Sequence, residues 1–151
     1  SKRYFYAEFA TKDDLLAHCA DDLFGRLWSG VQEVLDVTPP PDRFSRSLRS
    51  VLRTLGTDPA DARLYLECPG FPLLRQRQQR AVREFSAAMA DHAMPFTGRS
   101  RKPIDRGLAT RALVAGTTDL ILAWLAGEID TDEDTLVATL TATSLGAAAN
   151  L

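Results

Sequence analysis

Apolar residues recur at every third or fourth position along most of the chain, which is the spacing of an α-helix with one buried face. In the first such stretch one stripe joins Leu16, Leu23, Leu27 and Val34. No segment alternates apolar and polar residues as a half-buried strand would, and no repeat is visible. The pattern therefore predicts an all-α fold with helices at 12–36, 41–55, 59–67, 71–94, 104–128 and 132–151.

Residues that cap or stop helices separate these segments. Thr11 is a candidate N-cap for the first helix, and the two aspartates that follow Lys12 suit the positive end of its dipole. Prolines at 39–41 end that helix, and glycine and proline at 56–59 and 68–70 mark the next boundaries. Positions 95–103 have the composition of a loop.

The segment 112–126 differs from the others because it is apolar or small on nearly every side. Such a helix is expected to be buried on two faces. Its second face is covered either by another copy of the chain or by the rest of a monomer.

Composition changes this picture little. Hydrophobic residues make up 45% of the 151 residues and charged residues 25%, as in an ordinary soluble domain. The formal net charge of -2 excludes a globally basic nucleic-acid binder, so any contact with DNA must come from a local patch. Arg46, Arg49 and Arg53 share a face of the second helix. That row is either a phosphate-binding surface or, as is common, a solvated face.

The cysteines and histidines do not form a metal-binding pattern. Cys19 and Cys68 lack partners at ligand spacing, and His18 points about 100° away from Cys19 on a helix. We therefore expect two reduced thiols, no metal and no cofactor. No apolar run approaches the roughly 18 residues that span a bilayer, and no signal peptide is recognisable. A cytoplasmic protein without a membrane partner is expected.

The first fifteen residues, SKRYFYAEFATKDDL, carry the most specific pattern. A serine opens a short helix, an aromatic pair follows, a second Phe comes three residues after the Tyr, and Lys and Leu begin the next long helix. This stretch resembles the second half of the helix-turn-helix of TetR-family transcriptional regulators. The matching positions are Ser1, Phe5, Tyr6, Phe9, Lys12 and Leu15.

The polar side chains of this stretch are suited to DNA. Their donors can meet phosphates and base edges in a major groove, while Phe5 and Phe9 pin the short helix to the body behind it. An aromatic-rich helix packed as ordinary core would explain the two phenylalanines but not the exposed Lys, Arg and Tyr around them. The expected DNA-binding residues are Ser1, Lys2, Arg3, Tyr4, Tyr6 and Lys12.

In the TetR family two further helices precede the recognition helix, and this sequence opens at the recognition helix itself. The resemblance implies that residues 1–10 are the remnant of a DNA-binding domain. It implies that residues 11–151 form an effector-binding and dimerisation domain. A recognition helix without its supporting helices is expected to bind DNA weakly.

Towards the other end, 111–116 and 121–128 resemble the penultimate helix of many TetR regulators, whose last two helices form a four-helix bundle between subunits. The resemblance implies a homodimer, and small residues would permit close helix approach. A monomer that simply encloses its central helix is the alternative. The expected interface residues are Ala112, Ala115, Gly116, Leu122, Leu136, Leu140 and Ala147.

The family also implies a pocket for a small-molecule effector inside the helical domain. Candidate lining residues are polar groups that interrupt apolar stripes and large aromatics that could form walls. The expected set is Trp28, Leu52, Tyr65, Gln78, Phe85, Thr117, Thr118, Asp119 and Trp124. The effector would be largely hydrophobic, and cationic if Asp119 is ionised in the pocket. Alternatively, the threonines bond their own helix and Asp119 pairs across subunits.

These expectations combine into a dimeric TetR-type repressor that binds double-stranded operator DNA and is released by the effector. A helical protein-interaction or ligand-binding module without DNA binding is the alternative. We do not expect an enzyme or catalytic residues, because no Glu-x-x-His pattern and no nucleophile–base set is evident.

Overall fold

The computed structural model describes residues 9–92 and 105–149, and within these ranges it contains helices and no strand, which confirms the all-α prediction. Two single 3-10 turns, Pro40–Asp42 and Cys68–Gly70, connect α-helices. The α-helices are α1 (Lys12–Val37), α2 (Arg43–Thr57), α3 (Pro59–Glu67), α4 (Pro72–Asp91), α5 (Arg106–Leu125) and α6 (Glu133–Ala149).

The boundaries of α1 follow from its sequence. Thr11 caps the helix, with its Oγ1 accepting a hydrogen bond of 3.1 Å from the backbone N–H of Asp14. At the other end the backbone N–H of Thr38 donates to the carbonyl of Val34 at 3.0 Å, and Pro39 then prevents continuation. The predicted cap and stop are both confirmed.

The end of α5 lies three residues earlier than predicted, at Leu125 instead of Glu128. Gly127 adopts a φ of 76°, a left-handed conformation that costs little only for glycine. Its N–H donates to the carbonyl of Trp124, and the N–H of Glu128 donates to the carbonyl of Ala123. This pair of bonds is a Schellman motif, which satisfies the last carbonyls and ends the helix.

The helices pack around α1, which contacts α2, α3 and α4, while α5 lies against α4 and α6 against α2. Most of the apolar stripes predicted from periodicity form one core cluster across these helices, and Ala20, Cys68 and Leu74 form a smaller one. The buried members of the larger cluster are Leu23, Leu27, Val31, Leu35, Phe44, Leu48, Leu52, Leu55, Tyr65, Met89, Ile121, Leu136, Val137 and Leu140.

Ion pairs join two pairs of helices at the edges of this core. The guanidinium of Arg26 on α1 donates to both carboxylate oxygens of Asp61 on α3, at 2.7 and 2.8 Å. The Asp61 side chain is only 12% exposed, so this bidentate pair fixes where α3 lies. Arg49, from the arginine row, pairs with Asp134 at 2.8 Å and thereby joins α2 to α6, whereas Arg46 and Arg53 are exposed.

One helix has the length and composition to cross a membrane, and it is the only one in the described ranges. Over 18 residues α5 reaches a mean hydropathy of 1.3, although no such segment was expected. The value arises from alanine, glycine and leucine interspersed with polar residues. Because of those polar residues, the segment contains no long continuous apolar run. Only 11% of this stretch is buried in the fold, and a single helix of this kind is weak evidence for a membrane span.

Candidate ligand-binding site

A cavity lies at the centre of the bundle, where α1 to α5 all contribute side chains. The space open to the centres of water molecules is about 70 Å³. That is well below the roughly 300–1,000 Å³ of pockets that hold drug-sized ligands. The lining residues are Phe24, Leu27, Val31, Phe44, Ser47, Leu48, Val51, Tyr65, Gln78, Ala81, Val82, Phe85, Met89, Val114, Thr117, Thr118 and Ile121.

The wall of the cavity is apolar and uncharged. Aromatic rings from α1, α2, α3 and α4 and aliphatic side chains make up most of it, and no lining residue is Asp, Glu, Lys, Arg or His. Its polar members are Ser47, Tyr65, Gln78, Thr117 and Thr118. Few polar groups on an apolar wall are typical of sites that bind small molecules.

Three polar side-chain atoms on this wall are buried without a hydrogen-bond partner in the part of the chain that the structure describes: Ser47 Oγ, Gln78 Nε2 and Thr117 Oγ1. Ser47 is 3% exposed and Gln78 is 8% exposed. Leaving a buried donor unpaired costs on the order of 1–3 kcal/mol, and native proteins seldom accept that cost without a reason. All such atoms found in the described ranges line this one cavity.

The two hydroxyls contrast with most other helical hydroxyls of the chain. Thr110 Oγ1 donates to the carbonyl of Arg106 at 2.7 Å, and Thr118 Oγ1 donates to the carbonyl of Val114 at 2.9 Å. A hydroxyl that bonds its own helix in this way needs no other partner. Ser47 and Thr117 make no such bond, so their hydroxyls remain available to the cavity.

Tyr65 adds a neutral phenol to the wall. Burial raises its pKa to about 12, while the Thr118 and Gln78 side chains lower it by placing donors near the phenol oxygen, although neither reaches full hydrogen-bond geometry with it. The ring packs against Phe24, with centroids 6.2 Å apart. The phenol therefore keeps its proton at neutral pH, and the cavity stays uncharged.

Five of the residues expected in the pocket come together on its wall: Tyr65, Gln78, Phe85, Thr117 and Thr118. They lie on three different helices, so sequence spacing alone did not place them next to one another. Whether they bind a ligand stays a prediction.

The other four expected residues do not line the cavity. Trp28 stacks on Phe85 with centroids 5.2 Å apart and faces a surface groove instead. Leu52 is buried in the core, 4% exposed, and the indole of Trp124 donates to the carbonyl of Thr131 at 2.7 Å. Asp119 is exposed on the outer side of α5, so a charge for a cationic effector is missing from the wall.

Ser47 and Phe44 were missed. Ser47 lies on the apolar stripe of α2, one turn after Phe44 and one turn before Val51. It therefore carries the same signal that singled out Gln78, a polar residue on an inward stripe. Applied to α2, that test would have found it.

A second feature is an exposed face of α5 with apolar and small residues, while α6 exposes Leu145. Leu108 is 68% exposed, Leu120 37% and Leu145 46%. Of the residues expected at the dimer interface, Ala112, Ala115 and Gly116 are exposed on α5. On α5 these three small residues lie between Leu108 and Leu120.

The remaining interface residues are placed differently. Leu136 and Leu140 are each 5% exposed because they pack into the core of their own chain, so they are not available to a partner. Leu122 is half-buried against the same core. The side chain of Ala147 lies outside the described part of the chain.

Charge is also present at this face. Arg111 and Asp119 are both exposed on α5, and neither forms an ion pair with another described residue. They lie four residues before and four residues after Ala115. The arrangement is therefore symmetric about the small residues of the face.

Most of the expected DNA-binding residues, Ser1, Lys2, Arg3, Tyr4 and Tyr6, lie outside the described residues. Lys12 is exposed at the start of α1. Phe9, just before it, packs against the ring of His18 with centroids 5.1 Å apart. This contact attaches the end of the preceding segment to α1.

The described residues contain no group of three or more His, Cys, Asp or Glu side chains that could hold a metal ion. Cys19 and Cys68 are free thiols. Burial raises the pKa of the Cys68 thiol to about 11, and its Sγ donates to the carbonyl of Leu64 at 3.4 Å. A protonated, buried thiol is a poor nucleophile and a poor metal ligand.

No protein-family model, curated protein or solved structure matches this chain.

Proposed function

We propose that this chain is a TetR-type transcriptional regulator, a repressor that binds operator DNA as a dimer and is released by a small molecule. The observation that carries the proposal concerns α1. The helix begins at Lys12, next to the segment that resembles a recognition helix, and its middle, from Phe24 to Val31, lines the cavity. One continuous helix therefore connects the two proposed sites.

The length of this element gives the proposal a mechanism. From Lys12 to the cavity residues Phe24 and Val31 the helix rises about 18–28 Å at 1.5 Å per residue. A ligand larger than the cavity has to move the helices around it apart. Tilting α1 displaces its first residues most, and with them the preceding segment. Effector binding thereby favours an arrangement in which two recognition helices no longer match successive major grooves.

The exposed apolar and small residues of α5 support the dimer. Apolar patches of this kind mark interaction surfaces in soluble proteins, and a two-fold interface uses the same surface of both copies. Exposed Ala112, Ala115 and Gly116 permit two α5 helices to approach closely. The symmetric placement of Arg111 and Asp119 fits the same two-fold arrangement.

The second candidate function is a ligand-binding module that does not bind DNA. The cavity favours it as much as the regulator, since an uncharged wall with unpaired donors suits a ligand whatever the output is. The two functions differ only in the segment 1–12.

A DNA-binding experiment separates the two functions. The full-length protein is titrated against DNA from its own upstream region in a gel-shift assay at several salt concentrations. The regulator predicts salt-sensitive binding that Arg3→Ala weakens about tenfold, since one base or phosphate contact contributes roughly 1–3 kcal/mol. Arg63→Ala, exposed on α3, serves as the matched control and is expected to leave affinity unchanged. Absence of salt-sensitive binding would favour the module.

A further inference from the structure

We propose that the central cavity binds an uncharged, mostly apolar molecule that carries a hydrogen-bond-accepting oxygen, held by Ser47, Gln78 and Thr117. This inference gives the chemical class of the effector in the proposed function. Binding to the cavity is nevertheless measured without DNA, so the two proposals fail independently.

The ligand is uncharged because the cavity has nothing to pair with a charge. No ionisable Asp, Glu, Lys, Arg or His lines it, and the Tyr65 phenol keeps its proton at neutral pH. Moving an unpaired ion from water into such a place costs several kcal/mol or more. Asp119, the one candidate counter-ion for a cation, is on the outside of α5.

The ligand carries an acceptor because the unpaired atoms are donors. The Nε2 of Gln78 can only donate, and the hydroxyls of Ser47 and Thr117 can each donate a proton. A carbonyl oxygen has two lone pairs and can accept from two of these groups at once. The donors belong to α2, α4 and α5, so one oxygen that accepts from two of them connects two helices.

The rest of the ligand is apolar because the rest of the wall is. Phe24, Leu27 and Val31 of α1 lie on one side, and Met89 and Ile121 belong to the opposite helices. A cavity of about 150 Å³ accommodates benzene, so the 70 Å³ here fits a small ring only when the helices give way slightly. Ligand size is thereby connected to movement of α1.

The test uses two neutral probes of nearly the same shape. Cyclohexanone carries a carbonyl oxygen where methylenecyclohexane carries a CH2 group. Their affinities for the full chain are measured by calorimetry or by NMR titration. Cyclohexanone is expected to bind at least about fivefold more tightly, the worth of one net hydrogen bond. Gln78→Met, Ser47→Ala and Thr117→Val are each expected to reduce that preference.

A matched serine provides the control. Ser86 is 5% exposed and thus about as buried as Ser47 at 3%, but its hydroxyl donates to the carbonyl of Val82 and it does not line the cavity. Ser86→Ala should therefore keep the full preference for cyclohexanone. The helical content of every variant is checked by circular dichroism, and a variant that does not fold is replaced by Gln78→Leu, Ser47→Cys or Thr117→Ala.

Several outcomes would overturn the inference: equal binding of the two neutral probes, binding of neither, or tighter binding of cyclohexanecarboxylate or cyclohexylammonium. A chain that prefers cyclohexanone in the expected way but does not bind DNA keeps this inference and loses the proposed regulator. DNA binding without the probe preference does the reverse.

Discussion

Thr117 and Thr118 are neighbours on α5 and both line the cavity, yet only Thr118 returns its hydroxyl proton to the backbone, at 2.9 Å from the Val114 carbonyl. Thr117 Oγ1 is buried and has no partner in the described part of the chain. Two adjacent residues of the same type thus differ in whether their hydroxyl is satisfied. That difference fits the proposed binding site, because in a simple core an unpaired buried hydroxyl would only lower stability.

The first prediction concerns the stability cost of this hydroxyl. Thr117→Val removes an unpaired buried donor and is expected to raise the free energy of unfolding by about 1 kcal/mol. Thr110→Val, on the same helix and fully buried, removes a hydroxyl that donates to Arg106 and is expected to lower it by about 0.5–1 kcal/mol. Urea denaturation measures both. Equal losses in the two variants would contradict the assignment of Thr117.

The second prediction concerns the proposed dimer. In an antiparallel two-fold pairing of α5 about Ala115, Arg111 of each copy faces Asp119 of the other. Arg111→Asp alone or Asp119→Arg alone places like charges together and is expected to weaken the dimer at least about tenfold. The double variant, which restores opposite charges, should recover dimerisation. Analytical ultracentrifugation follows the dissociation.

The control for this cycle is Arg63→Asp, which makes the same change at an exposed position on α3 and should leave the dimer intact. If the double variant is as weak as the two single variants, the pairing about Ala115 is wrong. A chain that stays monomeric at all concentrations would remove the dimer itself.

The third prediction concerns pH and Tyr65. Its pKa rises from 10.0 to about 12 in the folded protein, so the folded state keeps a proton that the unfolded state releases. The free energy of unfolding therefore has its full value below pH 10, and part of it is lost as the pH rises from 10 through about 12. The loss should amount to roughly 2–3 kcal/mol.

Tyr65→Phe isolates this effect. The variant has no phenol at this position, so the difference in unfolding free energy between it and the parent should change between pH 10 and 12 and stay constant below pH 10. Absorbance titration should show one of the three tyrosines of the parent titrating near pH 12 and disappearing in the variant. Ionisation of Tyr65 near pH 10.0, the ordinary pKa of tyrosine, would mean that its side chain is not buried.

The fourth prediction concerns the end of α5. At Gly127 a side chain would have to adopt a left-handed φ of 76°, so Gly127→Ala is expected to lower the free energy of unfolding by about 1–2 kcal/mol. Gly25 is an exposed helical glycine of α1 with open space around it. Gly25→Ala should raise stability by about 0.5–1 kcal/mol, because alanine favours the helix. Thermal unfolding distinguishes the two signs, and the same sign in both variants would contradict the Schellman end.

The sequence determined the helices of this protein. The cap at Thr11, the stop at Thr38 and the inward stripe through Leu23 and Leu27 depend on neighbours within one or two turns. Hydrophobic periodicity and capping residues therefore predict these features from the sequence. For the same reason Gln78 could be placed on an inward face before any packing was known.

Only the tertiary structure decided what each face meets. Leu136 and Leu140 are predicted to be interface residues, but α6 packs on α2 and both side chains lie in the core of their own chain. Asp119 is predicted in the pocket but lies outside it, because α5 packs on α4 through its opposite side. Helical periodicity determines which residues share a face of one helix. Which other helix packs against that face depends on contacts between residues far apart in sequence. That packing brought Ser47, Gln78 and Thr117 from three helices to one cavity.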